Sequence, residues 1–256
     1  MTQRVYGRSI ISSAKRVITN DKSANELVEN ENNVIQSDNT RADTFTLSGQ
    51  QMVDKYTLSA EQILERCIEI DYETMENLTE DSEGNLCQWV ELFNSFPDTW
   101  HMLMSDDDIV GYWHFVCLND ESFEKAKNGE LLDGDITIDT IEYMFLPGDY
   151  KGYFVGIAIL PNFRNVRNLQ LLLNSFVEQL EVYAEHGIFF IEWCANAFTK
   201  EGKAMCKSLR MEKLCDNKLD GEMFYAEFRS MMELKVVNNS PRLVELYRTH
   251  FDTWND

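Results

Sequence analysis

The sequence predicts an α/β (α+β) fold in which helices flank one mixed β-sheet. Two apolar strands, Tyr153–Leu160 and Ile188–Cys194, are separated by one long amphipathic helix. Strands joined in this way must run parallel or nearly so. Two further apolar segments, TWHMLM and IVGYWHFVCL, flank the acidic stretch SDDD, which is the layout of an antiparallel hairpin. A parallel pair and a hairpin in one domain indicate a mixed sheet.

Composition limits the partners and the compartment. The chain has 256 residues, with 23 Lys and Arg against 44 Asp and Glu, for a formal charge of −21. Such a charge repels nucleic acid and anionic lipid, and no apolar stretch approaches the roughly 18 to 20 residues of a membrane span. We therefore expect no nucleic-acid partner and no membrane partner. The six cysteines lack zinc-site spacing, so we expect reduced thiols, a cytoplasmic protein and no metal site.

Three segments are expected along the chain. Residues 17–50 are rich in asparagine and acids and poor in large apolar residues, a composition that does not support a packed core. We therefore expect residues 1–55 to be an N-terminal extension or linker that is partly disordered. Residues 56–230 are expected to form the main domain, and residues 231–256 a C-terminal extension with a short helix.

The elements before the central strands follow from local signals. Ser59 and Gln62 have capping-box spacing, which predicts a helix from near Ala60. A second helix is predicted from Leu86 until shortly before Pro97. After the hairpin, ESFEKAKNG predicts a short helix and DITIDTIEYMF, residues 135–145, predicts another strand.

The start of the long helix is a candidate anion site. Unpaired backbone N–H groups collect there, after the carboxyl end of a strand. No Asp or Glu occurs from Tyr150 to Val177, whereas Lys151, Arg164 and Arg167 do. The arginines favour a phosphate-like ligand. The alternative is that buried strands and apolar helix faces exclude acids in any case.

Two segments resemble a known family. The stretch IAILPNFR, Ile157–Arg164, resembles motif A of the GNAT superfamily of acyl-CoA-dependent N-acyltransferases. The stretch TKEGKAMCKSLRMEKL, Thr199–Leu214, resembles the helix and strand in the second half of that family. The element order fits over roughly residues 55–230. The resemblance implies a largely antiparallel, twisted sheet with two splayed parallel central strands, and acetyl-CoA as co-substrate.

The resemblance also implies site residues. Those expected to bind the cofactor lie on the central strand, at the start of the long helix and before the next helix: Ile157, Ala158, Ile159, Arg164, Asn165, Val166, Arg167, Asn168, Leu169, Gln170 and Thr199. Arg167 and Leu169 replace the family's phosphate-loop glycines, so the motif is degenerate.

The catalytic candidates are two glutamates and one cysteine. An amine needs a base, and Glu192 is the first candidate and Glu142 the second. Each could instead be an ordinary paired or strand-edge glutamate. Cys206 stands where the family's tyrosine general acid lies, with a buried structural cysteine as the alternative. His101, His114, His186 and His250 form no recognisable constellation.

Several functions remain open on the sequence. The leading hypothesis is transfer of an acetyl group from acetyl-CoA to a primary amine of a small-molecule or peptide acceptor by direct attack. The alternatives are a catalytically inactive GNAT-fold module that binds CoA or regulates a partner, and an acidic interaction protein. The sequence leaves open whether the chain is a monomer or a homodimer.

Overall fold

A computed structural model describes residues 43–75, 78, 84–219 and 221–253. Most of the expected N-terminal extension therefore lies outside the described residues. Helices in the described part of the chain are all too short or too polar to cross a bilayer.

Seven strands form one sheet in the order β1-β2-β3-β4-β5-β7-β6, in which β4 and β5 are the parallel pair and the other neighbours are antiparallel. The strands are β1 Thr44–Ser48, β2 Trp100–Ser105, β3 Asp108–Cys117, β4 Gly148–Ile159, β5 Ile188–Ala197, β6 Glu212–Asp216 and β7 Glu222–Glu227. The helices are α1 Gly49–Tyr56, α2 Ala60–Thr74, α3 Leu86–Ser95, α4 Asp120–Lys127, α5 Val166–Glu185, α6 Lys200–Ser208, α7 Phe228–Met231, α8 Lys235–Asn238 and α9 Pro241–Asp252. The predicted fold class is confirmed.

Side-chain caps set the starts of the helices that frame the sheet. Ser59 and Gln62 form the expected capping box of α2. Asn165 and Thr199 cap α5 and α6 by accepting hydrogen bonds from backbone N–H groups three residues later. Gly187 follows α5 with a φ of 77°, which lets the chain turn sharply into β5.

Helices cover both faces of the sheet. On one face, Phe176 of α5 packs edge-on against Trp113 of β3, with ring centroids 5.4 Å apart. On the other face, Tyr112 of β3 donates a hydrogen bond to Asp71 of α2. Side chains of β3 alternate between these two layers, as the period of a strand requires. The apolar core therefore continues through the sheet.

Both ends of the described chain are integrated into the core. Strand β1 pairs with β2, and the Thr44 hydroxyl donates to the side-chain oxygen of Asn168 at 2.7 Å. In α9, the buried Tyr247 hydroxyl accepts a hydrogen bond from the backbone N–H of Phe190 at 2.9 Å. The packed chain thus begins before residue 56 and continues past residue 230.

Residues 135–145 do not form the expected strand. Short 3₁₀ turns occupy Asp133–Asp135 and Ile138–Thr140, and Ile141 makes only an isolated bridge to Leu118. The Asp135 carboxylate and the Thr140 hydroxyl accept hydrogen bonds from backbone N–H groups three residues earlier. Such local bonds favour turns over a ladder, which explains the error.

The parallel strands separate partway along their length. Strand β4 pairs with β5 from Gly148 to Phe154, which lies opposite Ala195. Beyond Phe154, β4 continues beside β3, while the end of β5 continues beside β7. The predicted splaying of the two strands is therefore present, and it opens the sheet at its centre.

We expect Gly152→Ala to destabilise the protein, because the two strands meet closely at this glycine. A Cβ atom there would lie 2.4 Å from the ring of the buried Trp193. Overpacking of this kind costs about 1 to 3 kcal/mol, which denaturant unfolding would measure. Gly148→Ala on the same strand is the matched control, because its Cβ would meet only Tyr150 at 3.9 Å. Equal stability of the two variants would contradict the packing argument.

Candidate functional site

A deep cleft occupies the opening between β4 and β5. It contains about 1320 Å³ of empty space, part of which is open to solvent. Its walls include the β4 segment Phe154–Ile157, the β5 end Ala195–Ala197, one side of α2 and the start of α6. Phe154–Ile157 are half-buried, whereas the flanking Tyr153 and Ala158 are buried. The cleft is therefore a direct result of the strand separation.

A β-bulge in β4 faces this opening. Phe115 pairs with Phe154 and His114 pairs with Gly156, so Val155 has no partner residue on β3. A bulged residue is left out of the ladder and its backbone groups are re-aimed. Val155 lines the cleft, so the bulge lies at the cleft wall. Strand periodicity alone did not reveal this irregularity.

The predicted cofactor residues fall into two places. Ile157 and Thr199 line the cleft, on opposite sides of the opening. Ala158 and Ile159 are buried farther along β4. The carbonyl oxygen of Ile159 accepts a hydrogen bond from Arg164 Nε at 2.8 Å. The cleft walls themselves do not include the first turn of α5.

The first turn of α5 holds the rest of the predicted set. The amides of Asn168 and Leu169 bond to the side chain and carbonyl of Asn165, so those of Val166 and Arg167 have no acceptor within the helix. The Asn168 side chain is buried and donates to the Phe163 carbonyl at 2.8 Å. The set also includes exposed and half-buried side chains: Arg164, Val166, Arg167 and Gln170 are exposed, and Leu169 is half-buried.

Cys206 lines the cleft from α6. Burial raises the pKa of its thiol to about 11. The thiol is therefore protonated at neutral pH and can donate a proton but is a poor nucleophile.

Glu192 and Glu142 lie away from the cleft. The Glu192 carboxylate accepts a hydrogen bond from the Tyr225 hydroxyl at 2.7 Å and lies 3.7 Å from Lys151 Nζ. Its neighbour Trp193 points to the other face and lines the cleft. Glu142 is exposed beside Cys117, and its amide donates to the Cys117 carbonyl. Neither glutamate is brought together with Cys206 and Ile157.

An acidic residue that the sequence analysis missed does line the cleft. Asp71 of α2 is 7% exposed and accepts a hydrogen bond from the Tyr112 hydroxyl. Asp71 follows Leu64 and Cys67 by seven and four residues, so it falls on the apolar stripe of an amphipathic helix. Acidic residues are rarely found buried without a partner, and this position was a usable sequence signal.

His114 adds a neutral polar group beside this pair. It follows Tyr112 on the same face of β3, and its ring stacks on Trp100 at 4.1 Å. Burial lowers the pKa of His114 to about 3, so the imidazole carries no charge at neutral pH. Among the described residues, no hydrogen-bond partner reaches its buried Nε2 atom.

The described part of the cleft wall contains acidic side chains but no lysine or arginine. Asp71 and Asp133 are these acidic side chains. The Tyr153 hydroxyl donates to Asp133 Oδ1 at 2.9 Å. Most of the remaining wall is aliphatic or aromatic. The cleft therefore combines an apolar interior with two tyrosine-bound carboxyl groups.

Several solved structures match this chain at low similarity. Ard1 from Thermoplasma volcanium is 9% identical, with a TM-score of 0.44 over 72% of this chain and 97% of that chain. Arabidopsis thaliana Naa50, in complex with the bisubstrate analogue CoA-Ac-MVNAL, is 9% identical, with a TM-score of 0.43 over 72% and 99%. An acetyltransferase from Thermus thermophilus is 9% identical, with a TM-score of 0.38 over 72% and 96%.

No protein-family model and no curated protein matches the sequence. At these identities and TM-scores, the structural matches assign neither a function nor a site to this chain.

Two buried histidines should make the stability depend on pH. Burial lowers the pKa of His101 to about 4 and that of His114 to about 3, from 6.5. Below about pH 6.5 the unfolded chain takes up protons that the folded chain does not. Their stabilisation is therefore complete above pH 6.5 and is lost as pH falls toward the folded pKa values, by up to about 1.4 kcal/mol per pH unit for each histidine.

Urea unfolding between pH 7.5 and 5.5 would measure this effect. His101→Gln should reduce the slope of the free energy of unfolding against pH. His186→Gln, at an exposed position, should leave that slope unchanged. A parent protein whose stability is constant over this range would contradict the prediction.

Proposed function

We propose that this protein transfers an acetyl group from acetyl-CoA to a primary amine by direct attack of the amine on the thioester. The observation that carries the proposal is the separation of β4 from β5 beyond Phe154, which opens a cleft through the sheet. We propose that the two substrates meet in this cleft. It also exposes backbone edges that can bind the amide groups of a pantetheine arm.

Backbone groups of β4 are proposed to bind the acyl end. Val155 is left out of the β3 ladder by the bulge, and its N–H group can donate to the thioester oxygen as negative charge develops there. Ile157 continues the same cleft wall and is expected to contact the pantetheine arm. These groups belong to a packed strand, so they are held in place before the substrate binds.

The start of α5 is proposed to bind the pyrophosphate. The amides of Val166 and Arg167 are the ones not used by the Asn165 cap, and the helix dipole favours an anion there. Arg167 is exposed and can reach a phosphate with its guanidinium. The amides of a helix start do not require glycine, so this site is compatible with the replaced phosphate-loop glycines. Arg164 is the second candidate, once released from the Ile159 carbonyl.

Asp71, with Tyr112, is proposed to receive the proton of the acceptor ammonium. This pair lines the cleft, whereas Glu192 is not among the residues of the cleft wall and its carboxylate accepts a hydrogen bond from the Tyr225 hydroxyl. After the proton leaves, the neutral amine nitrogen attacks the thioester carbon and a C–N bond forms. This nitrogen releases its second proton to solvent as the C–S bond breaks, and Asp71 returns its own proton to solvent. The protonated thiol of Cys206 is proposed to donate to the departing sulfur, and solvent restores its proton.

The runner-up is a CoA-binding module without catalysis. The observation that favours it is the bond from Arg164 to the Ile159 carbonyl, which occupies a group on the strand that the pantetheine arm is expected to follow. CoA binding without acetyl transfer to any amine would favour this reading.

Arg167→Ala should weaken CoA binding about 10- to 100-fold, because a charge-assisted hydrogen bond contributes about 1.5 to 3 kcal/mol. Calorimetric titration at low salt would measure the dissociation constant. Arg242→Ala removes the same charge from an exposed site on α9 and should leave it unchanged. Equal affinities of the Arg167→Ala variant and the parent would remove Arg167 from the site.

Asp71→Asn should lower the rate of acetyl transfer about 10²- to 10⁴-fold while CoA binding is retained, since it removes the proposed base. Thiol release over a panel of amines would measure the rate. Glu192→Gln is the matched comparison and should have a small effect, because its carboxylate lies outside the cleft. Loss of activity in Glu192→Gln alone would instead identify Glu192 as the base.

A further inference from the structure

The lining of the cleft restricts the acceptor as well as the reaction. Its acidic side chains are Asp71 and Asp133, and lysine and arginine are absent from the described part of its wall. The His114 imidazole is neutral, so it adds no positive charge. An acceptor that carries a carboxylate would meet only like charge here, without a cation to offset desolvation. A protonated amine meets the opposite charge.

The surroundings of Asp71 are apolar. On α2, Leu64, Cys67 and Ile68 share its side of the helix and line the same cleft. On β3, Tyr112 binds Asp71 and His114 follows on the same face. These contacts make Asp71 a charge-bearing point in a wall that otherwise offers few hydrogen bonds.

Two tryptophans extend this wall away from Asp71. Trp100 stacks on the His114 ring at 4.1 Å, and Trp89 meets that ring edge-on at 5.1 Å. Both tryptophans line the cleft and are at most 5% exposed. An aromatic or aliphatic body is well matched to this surface, whereas the hydroxyl groups of an amino sugar would lose water without gaining partners.

We infer that the acceptor is an amine on an apolar body without an acidic group, with its ammonium at Asp71 and its body against Trp89, Trp100 and the apolar side of α2. This inference rests on the proposed function, because it assigns the acceptor to the same cleft. It commits to a chemical class and excludes free amino acids and amino sugars.

Three ligands that each carry a phenyl ring test whether a carboxylate on the acceptor weakens binding. Phenylalanine and phenylalaninamide differ in the negative charge of the carboxylate, and phenethylamine lacks both substituents. We expect phenethylamine and phenylalaninamide to bind with similar affinity and phenylalanine to bind at least about 30-fold more weakly. Glucosamine should bind more weakly than phenethylamine. Quenching of the cleft tryptophans would report binding, with and without CoA.

Variants test whether Asp71 causes the discrimination against phenylalanine. Asp71→Asn should weaken phenethylamine binding about 10- to 100-fold and should also reduce the discrimination against phenylalanine. A purely structural role would not change that discrimination. Glu65→Gln, at an exposed position on α2, should change neither quantity. If Asp71→Asn does not fold, Tyr112→Phe removes the hydroxyl that orients Asp71 and should change both quantities in the same direction.

The outcomes separate the inference from the proposed function. Phenylalanine binding as tightly as phenylalaninamide, or unchanged discrimination in both variants, would overturn the inference. If the expected amine binding is found but CoA does not bind or no amine is acetylated, the acetyltransferase proposal fails and the inference about the ligand class stands.

Discussion

The end of the parallel pairing between β4 and β5 is the constraint on which the candidate site depends. Phe176 of α5 packs against both strands at this point, with its ring centroid 5.4 Å from Phe154 and 5.2 Å from Trp193. Both contacts are edge-on, a favoured arrangement for aromatic pairs. Earlier along β4, Gly152 lets the strand approach the Trp193 ring closely. A glycine therefore permits the close approach of the strands at one end, and an aromatic cluster packs at the point where they separate.

This separation has consequences for the backbone. The half of β4 beyond Phe154 has β3 on one side and the cleft on the other, so part of its hydrogen-bonding capacity is available to a ligand. The bulge at Val155 lies at the same place and adds a re-aimed peptide unit. A substrate can thus be recognised by backbone groups whose positions are set by the sheet. Side-chain replacements at the start of α5 leave these backbone groups intact.

Acidic residues can attract a cationic ligand both at long range and inside the cleft. The formal charge of −21 favours the approach of cationic molecules over anionic ones. Within the cleft, Asp71 and Asp133 continue this preference at short range, where low polarity strengthens it. The exposed Arg164 and Arg167 at the start of α5 form a local exception within a strongly acidic protein. The same chain can therefore favour an amine in the cleft and a phosphate at the helix start.

By itself, the sequence determined the helices and strands with strong local signals, and with them the fold class. The Ser59–Gln62 capping box and the apolar run of β4 act through near neighbours, so they can be recognised without the fold. Only the tertiary structure decided which carboxylate faces the cleft. Asp71 and Tyr112 are 41 residues apart, and Glu192 accepts a hydrogen bond from Tyr225, 33 residues along the chain. Such partners are set by packing between distant segments, because a side chain's surroundings depend on which elements the sheet order brings together.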